Sequence, residues 1–377
     1  MKCVILAGGI GNTLWPLSRR NYPKQFLNIC EGRSLLQDTI VRNLPFADEF
    51  IIVTNESYKE IMESQLKAFQ GLRYRIIYES KNCGTFAGMY FGEFIEKYGE
   101  EVVGWKSSSL ERFPVLIKFI DAKNALSIQI HPDDDYALEN ENEFGKNEMW
   151  YVVDCEPGAY LYCGLKQYAS KEEIRERIEN NTITEILNKI EVHKGDCVMV
   201  KAGTIHAIGA GILICEIQQN SNCTYRMYDY DRRDKFGNRR ELHIDKAIDV
   251  VDVKKYKPFV SGNSDVPEGA ELLVSCKYFE CYKYVLGKSM DVDHNSDKNI
   301  CNNDDGNSDI VAKPATDRIN ISVDTMSFRS IIVIEGSGKI TVGENEMDYR
   351  AGDSFFVTAG EKVVSVEGTG VIIVTKV

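Results

Sequence analysis

Residues 195–206 read GDCVMVKAGTIH and residues 352–363 read GDSFFVTAGEKV, so one pattern occurs twice without gaps. Each copy has a Gly-Asp turn, a short apolar strand and an Ala-Gly turn, followed by the start of another strand. The last position is His206 in the first copy and Val363 in the second. The repeat predicts two related β domains, of which the first carries the chemistry and the second supports it.

Three more polar side chains belong with His206. Gln129 and His131 are two residues apart, so on a strand they point to the same face. Glu148 directly precedes MWYVV, a run with strand composition. A single histidine among strands is more often a hydrogen-bonded core residue, but the four together form a set of nitrogen and oxygen ligands. Such a set suits a catalytic zinc that keeps an exchangeable position.

The composition limits the class of protein. The chain has 377 residues, enough for two or three domains, with 43% hydrophobic and 27% charged residues. Its net charge of −12 argues against nucleic acid or an anionic membrane as a partner, but it does not exclude a phosphorylated substrate. The apolar start is too short for a signal peptide, which predicts a cytoplasmic protein. Eleven cysteines without a Cys-x-x-Cys pair indicate reduced thiols.

Strand and helix patterns alternate over residues 1–98. This βαβαβα order predicts a truncated α/β segment with a Rossmann-like parallel sheet. A junction follows over 99–112, and then a zinc-binding β domain over 113–260. We expect a helical insert over 170–189, because Ser170 and Glu173 form a capping box. A second barrel without metal is predicted over 268–377, with a mobile loop over 290–317 that is rich in Asn, Asp and Ser.

A glycine loop follows the first strand, in LAGGIGNTLWPLS over residues 6–18. Glycines there let backbone N–H groups approach phosphates, although a loop of this kind is more often a tight turn. Together with PKQFL at 23–27, SLLQDT at 34–39 and ESKNCGT at 79–85, it resembles the start of sugar-1-phosphate nucleotidyltransferases. The resemblance is to mannose-1-phosphate guanylyltransferase in particular, and it covers about the first quarter of the chain.

Two departures from that family concern its chemistry. Thr13 stands where the family has an arginine, and the family's later metal-binding Asp-His segment has no counterpart before residue 113. Phosphoryl transfer depends on metal and cation stabilisation of the phosphates. We therefore expect an N-terminal segment that is inert in transfer and at most binds a nucleotide.

The remaining two thirds of the chain resembles another family. The matching runs are FPVLIKFIDAK at 113–123, LSIQIHPDD at 126–134, GKNEMWY at 145–151, AGTIHAIG at 202–209, EIQQNS at 216–221 and TYRMYDYDR at 224–232. They resemble type I mannose-6-phosphate isomerases of the short bacterial kind. The resemblance implies a mixed fold that is mainly a β double barrel of the cupin type. It implies zinc held by Gln129, His131, Glu148 and His206, with Arg226 and Lys146 as active-site residues.

The implied activity is a zinc-dependent aldose–ketose isomerisation between mannose 6-phosphate and fructose 6-phosphate. A proton must leave one carbon and return to the next, which requires a base and stabilisation of the developing oxyanion. Asn222 stands where the family commonly has an aspartate, so the base is open between position 222, Lys146 and Glu216. Glu216 itself reads either as a structural strand residue or as a pocket carboxylate. The alternatives are a bifunctional isomerase and guanylyltransferase, or a sugar-phosphate-binding cupin with little turnover.

Overall fold

A computed structural model describes residues 2–7, 22–30, 32–54, 58–78, 89–108, 110–233, 237–261, 265–287 and 316–377. The chain divides into two compact units, Met1–Lys97 and Tyr98–Val377. The glycine loop, the ESKNCGT segment and nearly all of the predicted loop over 290–317 lie outside the described residues. Within the described part, no helix is both long and apolar enough to cross a membrane.

The first unit has a three-stranded parallel sheet with helices in the connections. The sheet has the order β1-β4-β5, and β2 and β3 form a small antiparallel pair beside it. The strands are β1 (Lys2–Leu6), β2 (Asn28–Cys30), β3 (Arg33–Ser34), β4 (Glu49–Thr54) and β5 (Tyr74–Tyr78). The helices are α1 (Leu35–Asn43), α2 (Lys59–Leu66) and α3 (Phe91–Tyr98). This confirms the predicted parallel α/β segment.

The PKQFL segment is fixed to the core of the first unit. Lys24–Phe26 form one 3-10 turn, in which Phe26 is fully buried and packs edge-on against Tyr58. Gln25 donates from its side chain to the carbonyl of Ala7 at 2.6 Å. Lys24 is exposed, so the turn buries its apolar residue and leaves its cation in solvent.

The second unit contains two antiparallel sheets that face each other. One has the order β11-β8-β13-β6 and the other β10-β9-β12-β7-β14. The first consists of β6 (Val115–Ala122), β8 (Glu148–Cys155), β11 (Cys197–Val200) and β13 (Ile212–Gln219). The second consists of β7 (Ile128–Ile130), β9 (Tyr160–Leu165), β10 (Leu187–Glu191), β12 (His206–Ile208) and β14 (Tyr225–Tyr228). Both sheets contribute to one core that includes Trp150, Val152, Leu161, Ile208 and Ile214. Among the described residues the two sheets stay separate, so they form a sandwich and no closed barrel is found.

Three helices accompany these sheets: α6 (Asp134–Glu141), α7 (Lys171–Glu179) and α8 (Ile244–Val250). Helix α7 begins as predicted, with the Ser170 hydroxyl accepting from the backbone N–H of Glu173. The predicted extension to residue 189 is wrong. The helix ends before Asn181, which has a left-handed φ of 58° that a continuing helix cannot contain. Residues from Leu187 onward pair with β9 instead.

A third sheet holds the C-terminal strands around its own core. The strands are β15 (Ala270–Ser275), β16 (Glu280–Leu286), β17 (Arg318–Val323), β18 (Arg329–Val342), β19 (Asn345–Arg350), β20 (Ser354–Val357) and β21 (Lys362–Lys376). The long strands β18 and β21 pair with each other and also with shorter strands along their outer edges. One apolar cluster contains residues from β16, β17, β18 and β21, including Tyr284, Ile321, Val333 and Ile372.

The repeat has the same local structure in both copies. Gly195 and Gly352 have φ values of 95° and 90° and are followed by β11 and β20. The position after the second turn differs, because His206 is buried whereas Val363 is 53% exposed. Val363 therefore does not belong to the core of the third sheet. Val364 and Val366 lie in that core, and strand alternation turns Val363 toward solvent.

The junction forms two short helices that belong to the second unit, α4 (Glu100–Val103) and α5 (Trp105–Ser108). The carbonyls of Val102 and Val103 accept hydrogen bonds from the backbone N–H groups of Ala359 and Phe328 at 2.9 and 3.3 Å. Gly104 joins the two helices at a φ of 84°. A Cβ on Gly104 would lie 2.4 Å from the carbonyl oxygen of Met326. The junction therefore packs closely on the third sheet.

We predict that Gly104→Ala destabilises the protein more than Gly158→Ala does. Both glycines have positive φ, which costs any other residue about 1–2 kcal/mol. A Cβ on Gly158 would meet no atom within 4 Å, whereas one on Gly104 would meet the Met326 backbone, and overpacking adds about 1–3 kcal/mol. Equilibrium urea unfolding of both variants measures the difference. Equal losses of unfolding free energy would contradict close packing of the junction.

Candidate metal centre

Strand register gathers three of the predicted site residues on one face of the sheet that contains β7, β12 and β14. Gln129 on β7 is the partner of His206 on β12 and of Arg226 on β14. Directly paired residues of antiparallel strands point to the same face. The alternate residues Ile128, Ile130, Tyr225 and Met227 belong to a separate cluster that packs with helices α7 and α8. Gln129, His206 and Arg226 therefore share the face opposite to these helices.

The opposing sheet brings its own polar side chains to the interior at one end. On β13 the alternate residues Ile212 and Ile214 lie in the apolar core, and the next two in the series are Glu216 and Gln218. Glu216 pairs with Lys118 on β6, and Gln218 pairs with Glu148 on β8. Because side chains alternate along a strand, all four belong to the interior face. The space between the sheets thus changes from apolar to charged along β13.

His131, Glu148 and His206, which we call the His-Glu-His set, meet in this charged region. Nε2 of His131 lies 3.5 Å from Oε2 of Glu148, and Nε2 of His206 lies 3.4 Å from Oε1. One potential ligand atom from each residue lies within 4.8 Å of the others. The three residues are at most 1% exposed. The structure thus joins three of the four predicted ligands. Gln129 is half-buried beside His206, and its role as a ligand stays a prediction.

Hydrogen bonds fix the direction of both imidazole rings. Nδ1 of His131 lies 2.9 Å from the carbonyl of Cys223, and Nδ1 of His206 lies 2.8 Å from the carbonyl of Thr204. A carbonyl accepts only, so each Nδ1 carries the proton and each Nε2 keeps a free lone pair. Neither Nε2 has a hydrogen-bond partner among the described residues, and the same holds for Oε1 of Glu148. Buried polar atoms of this kind require a partner, and a divalent metal fits the set.

The protonation states suit a metal as well. Burial lowers the pKa of His131 to about 4 and also lowers the pKa of His206. For Glu148, burial acts to raise the pKa, but the positive charge of Lys146 opposes this and the pKa lies well below its ordinary value. At neutral pH the set therefore has two neutral imidazoles and one carboxylate. These are the forms that bind a metal ion.

A chain of charged groups leads away from Glu148. Nζ of Lys146 lies 2.8 Å from Glu148 Oε2 and 3.6 Å from Glu216 Oε1. Nζ of Lys118 lies 2.8 Å from the same Glu216 oxygen and 2.5 Å from Oε1 of Gln218. Glu216 is 3% exposed and lies on the interior face between the sheets. Sequence reasoning missed Lys118 and Gln218, although their polar character inside apolar strands was a usable signal.

Lys146 remains a cation in this position. Burial acts to lower the pKa of its ammonium group, but the attraction of Glu148 and Glu216 is stronger and raises it. A lysine with a raised pKa is protonated at neutral pH, so it donates hydrogen bonds and cannot accept a proton. Of the two buried candidates for a base, Lys146 and Glu216, the carboxylate is the one that can accept.

Arg226 and Asn222 have different surroundings. Arg226 donates from Nη1 to the carbonyl of Glu241 at 2.8 Å, while its Nε is buried and has no hydrogen-bond partner in the described part of the chain. Burial lowers its pKa. Asn222 is exposed and lines a cleft of about 330 Å³ with Glu141, Glu143, Cys223, Thr224, Tyr225, His243 and Lys246.

A single turn, residues 201–204, holds the segments that carry the set. The Gly203 N–H donates to the carbonyl of His131 at 2.8 Å, and Thr204 accepts from His206. The Ala202 N–H donates to the side-chain oxygen of Asn147, the residue before Glu148, at 3.0 Å. Gly203 has a φ of 82°, which favours glycine. The Ala-Gly turn of the repeat is therefore the element that positions His131, Glu148 and His206 relative to one another.

Comparison with known proteins assigns different relatives to the two ends of the chain. A family model described as nucleotidyl transferase matches residues 2–135, and one described as mannose-6-phosphate isomerase, cupin domain, matches residues 311–377. A mannose-1-phosphate guanylyltransferase of Salmonella muenchen is 47% identical over 92 residues, which are 24% of this chain and 20% of that protein. The resemblance of the N-terminal segment is thereby confirmed, over a small part of the relative.

Solved structures confirm the predicted fold class. The crystal structure of the mannose 6-phosphate isomerase from Bacillus subtilis superposes with a TM-score of 0.63 at 31% identity, and covers 78% of this chain and 84% of that chain. A mannose 6-phosphate isomerase bound with zinc and yttrium has a TM-score of 0.56 at 14% identity, over 76% of this chain and 85% of its own. At that identity the second likeness supports the cupin-type fold alone.

Sequence similarity over most of the chain is strongest on the isomerase side. The mannose-6-phosphate isomerase of Streptococcus mutans is 36% identical over 272 residues, which are 72% of this chain and 75% of that protein. The charged end of the interior contains the His-Glu-His set, and this observation and the extended sequence identity point to the same family. The chain belongs to the mannose-6-phosphate isomerase family.

Proposed function

We propose that this chain interconverts mannose 6-phosphate and fructose 6-phosphate with a zinc ion held by His131, Glu148 and His206, and with Gln129 as a further ligand. The observation that carries the proposal is the His-Glu-His set, in which both Nε2 atoms and Oε1 of Glu148 are buried without a hydrogen-bond partner in the described part of the chain. When bound, zinc would polarise the sugar carbonyl and stabilise the negative charge of the enediolate. We assign the isomerase site to residues 113–260 and a supporting role to residues 268–377.

Glu216 is the best candidate for the proton-transferring base. It is a buried carboxylate, whereas Lys146 is held as a cation between Glu148 and Glu216. The base must take a proton from one carbon and return it to the neighbouring carbon, which a single carboxylate within reach of both can do. Lys146 and Lys118 would hold the Glu216 carboxylate in place and offset its burial. Lys146 would also donate to an oxygen of the sugar as its charge increases.

Arg226 is the candidate for binding the substrate phosphate. It shares the interior-facing row with Gln129 and His206, and its Nε has no hydrogen-bond partner among the described residues. A guanidinium can donate two parallel hydrogen bonds to a phosphate. In a protein of net charge −12, local cations of this kind are needed to attract an anionic sugar phosphate.

The second candidate function is a nucleotide site in the first unit. It is supported by the similarity of residues 2–135 to the nucleotidyl transferase model. We propose that this unit at most binds a nucleotide and does not transfer one, because the family's metal-binding segment has no counterpart in the sequence. The cytoplasmic location stays a prediction of the sequence.

His206→Ala is expected to remove most bound zinc and all isomerase activity. It takes one of three ligands from the set and leaves the Thr204 carbonyl without its donor. Val363→Ala, at the equivalent position of the repeat, should change neither, because Val363 is exposed. Metal content is measured by elemental analysis, and activity by a coupled assay with and without a chelator. Unchanged zinc in the His206 variant would place the metal elsewhere.

Glu216→Gln is expected to lower kcat about 10²–10⁴-fold, the usual contribution of a general base. The amide has the shape of the carboxylate but cannot accept the proton. Asn222→Asp is the matched test, and it should change kcat little because Asn222 is exposed in a separate cleft. A large gain in the Asn222 variant, with Glu216→Gln still active, would place the base at position 222.

Arg226→Lys is expected to raise the Michaelis constant for the sugar phosphate more than it lowers kcat. Lysine keeps the charge but cannot form the two-pronged contact with a phosphate. Steady-state kinetics with mannose 6-phosphate separate the two constants. A selective fall in kcat would instead show that Arg226 acts on the reacting carbons.

Lys24→Ala is expected to leave isomerisation unchanged. Lys24 is an exposed residue of the first unit, and the proposed isomerase residues all lie in the second. The same preparation, incubated with GTP and mannose 1-phosphate, should form no GDP-mannose before or after the substitution. Measurable GDP-mannose from the unsubstituted protein would establish the bifunctional alternative.

A further inference from the structure

A cavity rich in lysine lies beside the turn that holds the His-Glu-His set. It measures about 260 Å³, and Ala202 and Thr204 of the turn form part of its wall. The side chains that give it its character are four lysines and two aromatic residues: Lys201, Lys254, Lys255, Lys257, Tyr256 and Phe259. We call it the lysine cavity. None of these residues belongs to the site proposed for isomerisation.

The wall of the lysine cavity is locally basic in an acidic protein. The chain has a net charge of −12, and elsewhere in the second unit lysines such as Lys246, Lys283 and Lys376 form ion pairs. None of the four cavity lysines forms an ion pair with a described residue, and Asp252 is the one acidic residue in the cavity wall. Lys201 lies over the ring of Phe259, 4.7 Å from its centroid. The cavity thus keeps an excess of positive charge that the protein does not neutralise.

The segment that carries three of these lysines is held in place by backbone hydrogen bonds. The Asp252 N–H donates to the carbonyl of Gly203 at 2.8 Å, and the Tyr256 N–H donates to Leu165 at 2.9 Å. Tyr256 also packs against Gly164, where a Cβ would lie 2.6 Å from the tyrosine Cβ. The backbone of this segment therefore keeps the exposed lysines close together, and their combined positive potential favours an anion between them.

We propose that the lysine cavity binds a small phosphate-bearing anion. Ammonium groups act as point charges for phosphate, and the hydroxyl of Thr204 adds a neutral donor in the same wall. The volume suits inorganic phosphate or a compact phosphorylated metabolite rather than a polymer. With one acidic residue among the charged groups, the wall does not suit a metal cation.

Binding there acts on the element that positions the set. The turn from Lys201 to Thr204 supplies cavity wall and also hydrogen-bonds to His131, to His206 and to Asn147 beside Glu148. An anion held by Lys201 and Thr204 would reduce the motion of this turn. Occupancy of the cavity would then stabilise the arrangement of His131, Glu148 and His206 without touching them.

The test uses the full-length protein with inorganic phosphate as the probe. Binding is measured by isothermal titration, and the motion of the turn by hydrogen exchange of the peptide that contains residues 201–206. The cavity variant is Lys255→Ala with Lys257→Ala. The matched control is Lys106→Ala with Lys123→Ala, two exposed lysines outside the cavity that give the same change of net charge. Lys146→Met is the variant of the isomerase site.

We expect the cavity variant to bind phosphate roughly tenfold more weakly, because it removes two of the four cations that face the anion. The control and the Lys146 variant should retain this binding, and phosphate should slow exchange in the 201–206 peptide only where the cavity is intact. If the control pair weakens phosphate binding equally, the loss comes from the change of net charge, and the proposal is overturned. Loss of binding in Lys146→Met alone would place the phosphate in the isomerase site and overturn it as well.

Discussion

The carboxylate of Glu148 is fully buried, and the interior of the isomerase domain is organised around that charge. An isolated carboxylate in an apolar core would cost several kcal/mol, even after the protein relaxes around it. Here Lys146 lies at 2.8 Å, and two imidazole nitrogens lie within 3.5 Å. The remaining lone pairs face one another across a space that a divalent cation would fill. The buried carboxylate is tolerated because the fold brings these three groups to it from the end of β7, the loop before β8 and the start of β12.

The interior of the sandwich has an apolar part and a charged part. Along β13 two isoleucines are followed by Glu216 and Gln218 at alternate positions, so one strand takes part in both. The apolar end, with Trp150 and Val152, supplies the packing that keeps the two sheets at a fixed distance. At the polar end this rigidity holds Lys118 and Lys146 within 3.6 Å of Glu216. The proposed chemistry depends on this division, because a base and a metal ligand must keep their separation during proton transfer.

The turn over residues 201–204 connects the site with the rest of the domain. It is the Ala-Gly turn of the repeat, and in the second copy the equivalent turn leads to an exposed valine instead of a buried histidine. In the first copy the turn hydrogen-bonds to His131, Asn147 and His206 on one side and contacts the lysine cavity on the other. One short segment therefore sets the geometry of the proposed metal site and is accessible to a ligand outside it.

Sequence alone determined the two-part organisation, the β class of the second unit and the residues of the His-Glu-His set. Short stretches such as SIQIH and AGTIH combine the period of a strand with potential ligand residues. They can therefore be recognised without knowing which residues lie next to them in the fold. The sequence alone did not determine the end of helix α7, which depends on a left-handed asparagine. It also did not determine the open form of the sheets, which depends on pairing between strands that are distant in the chain. Nor did it reveal that Lys118 and Gln218 lie beside Glu216. Only tertiary structure decided these, because a polar residue in a strand becomes part of a site only when register places a partner opposite to it.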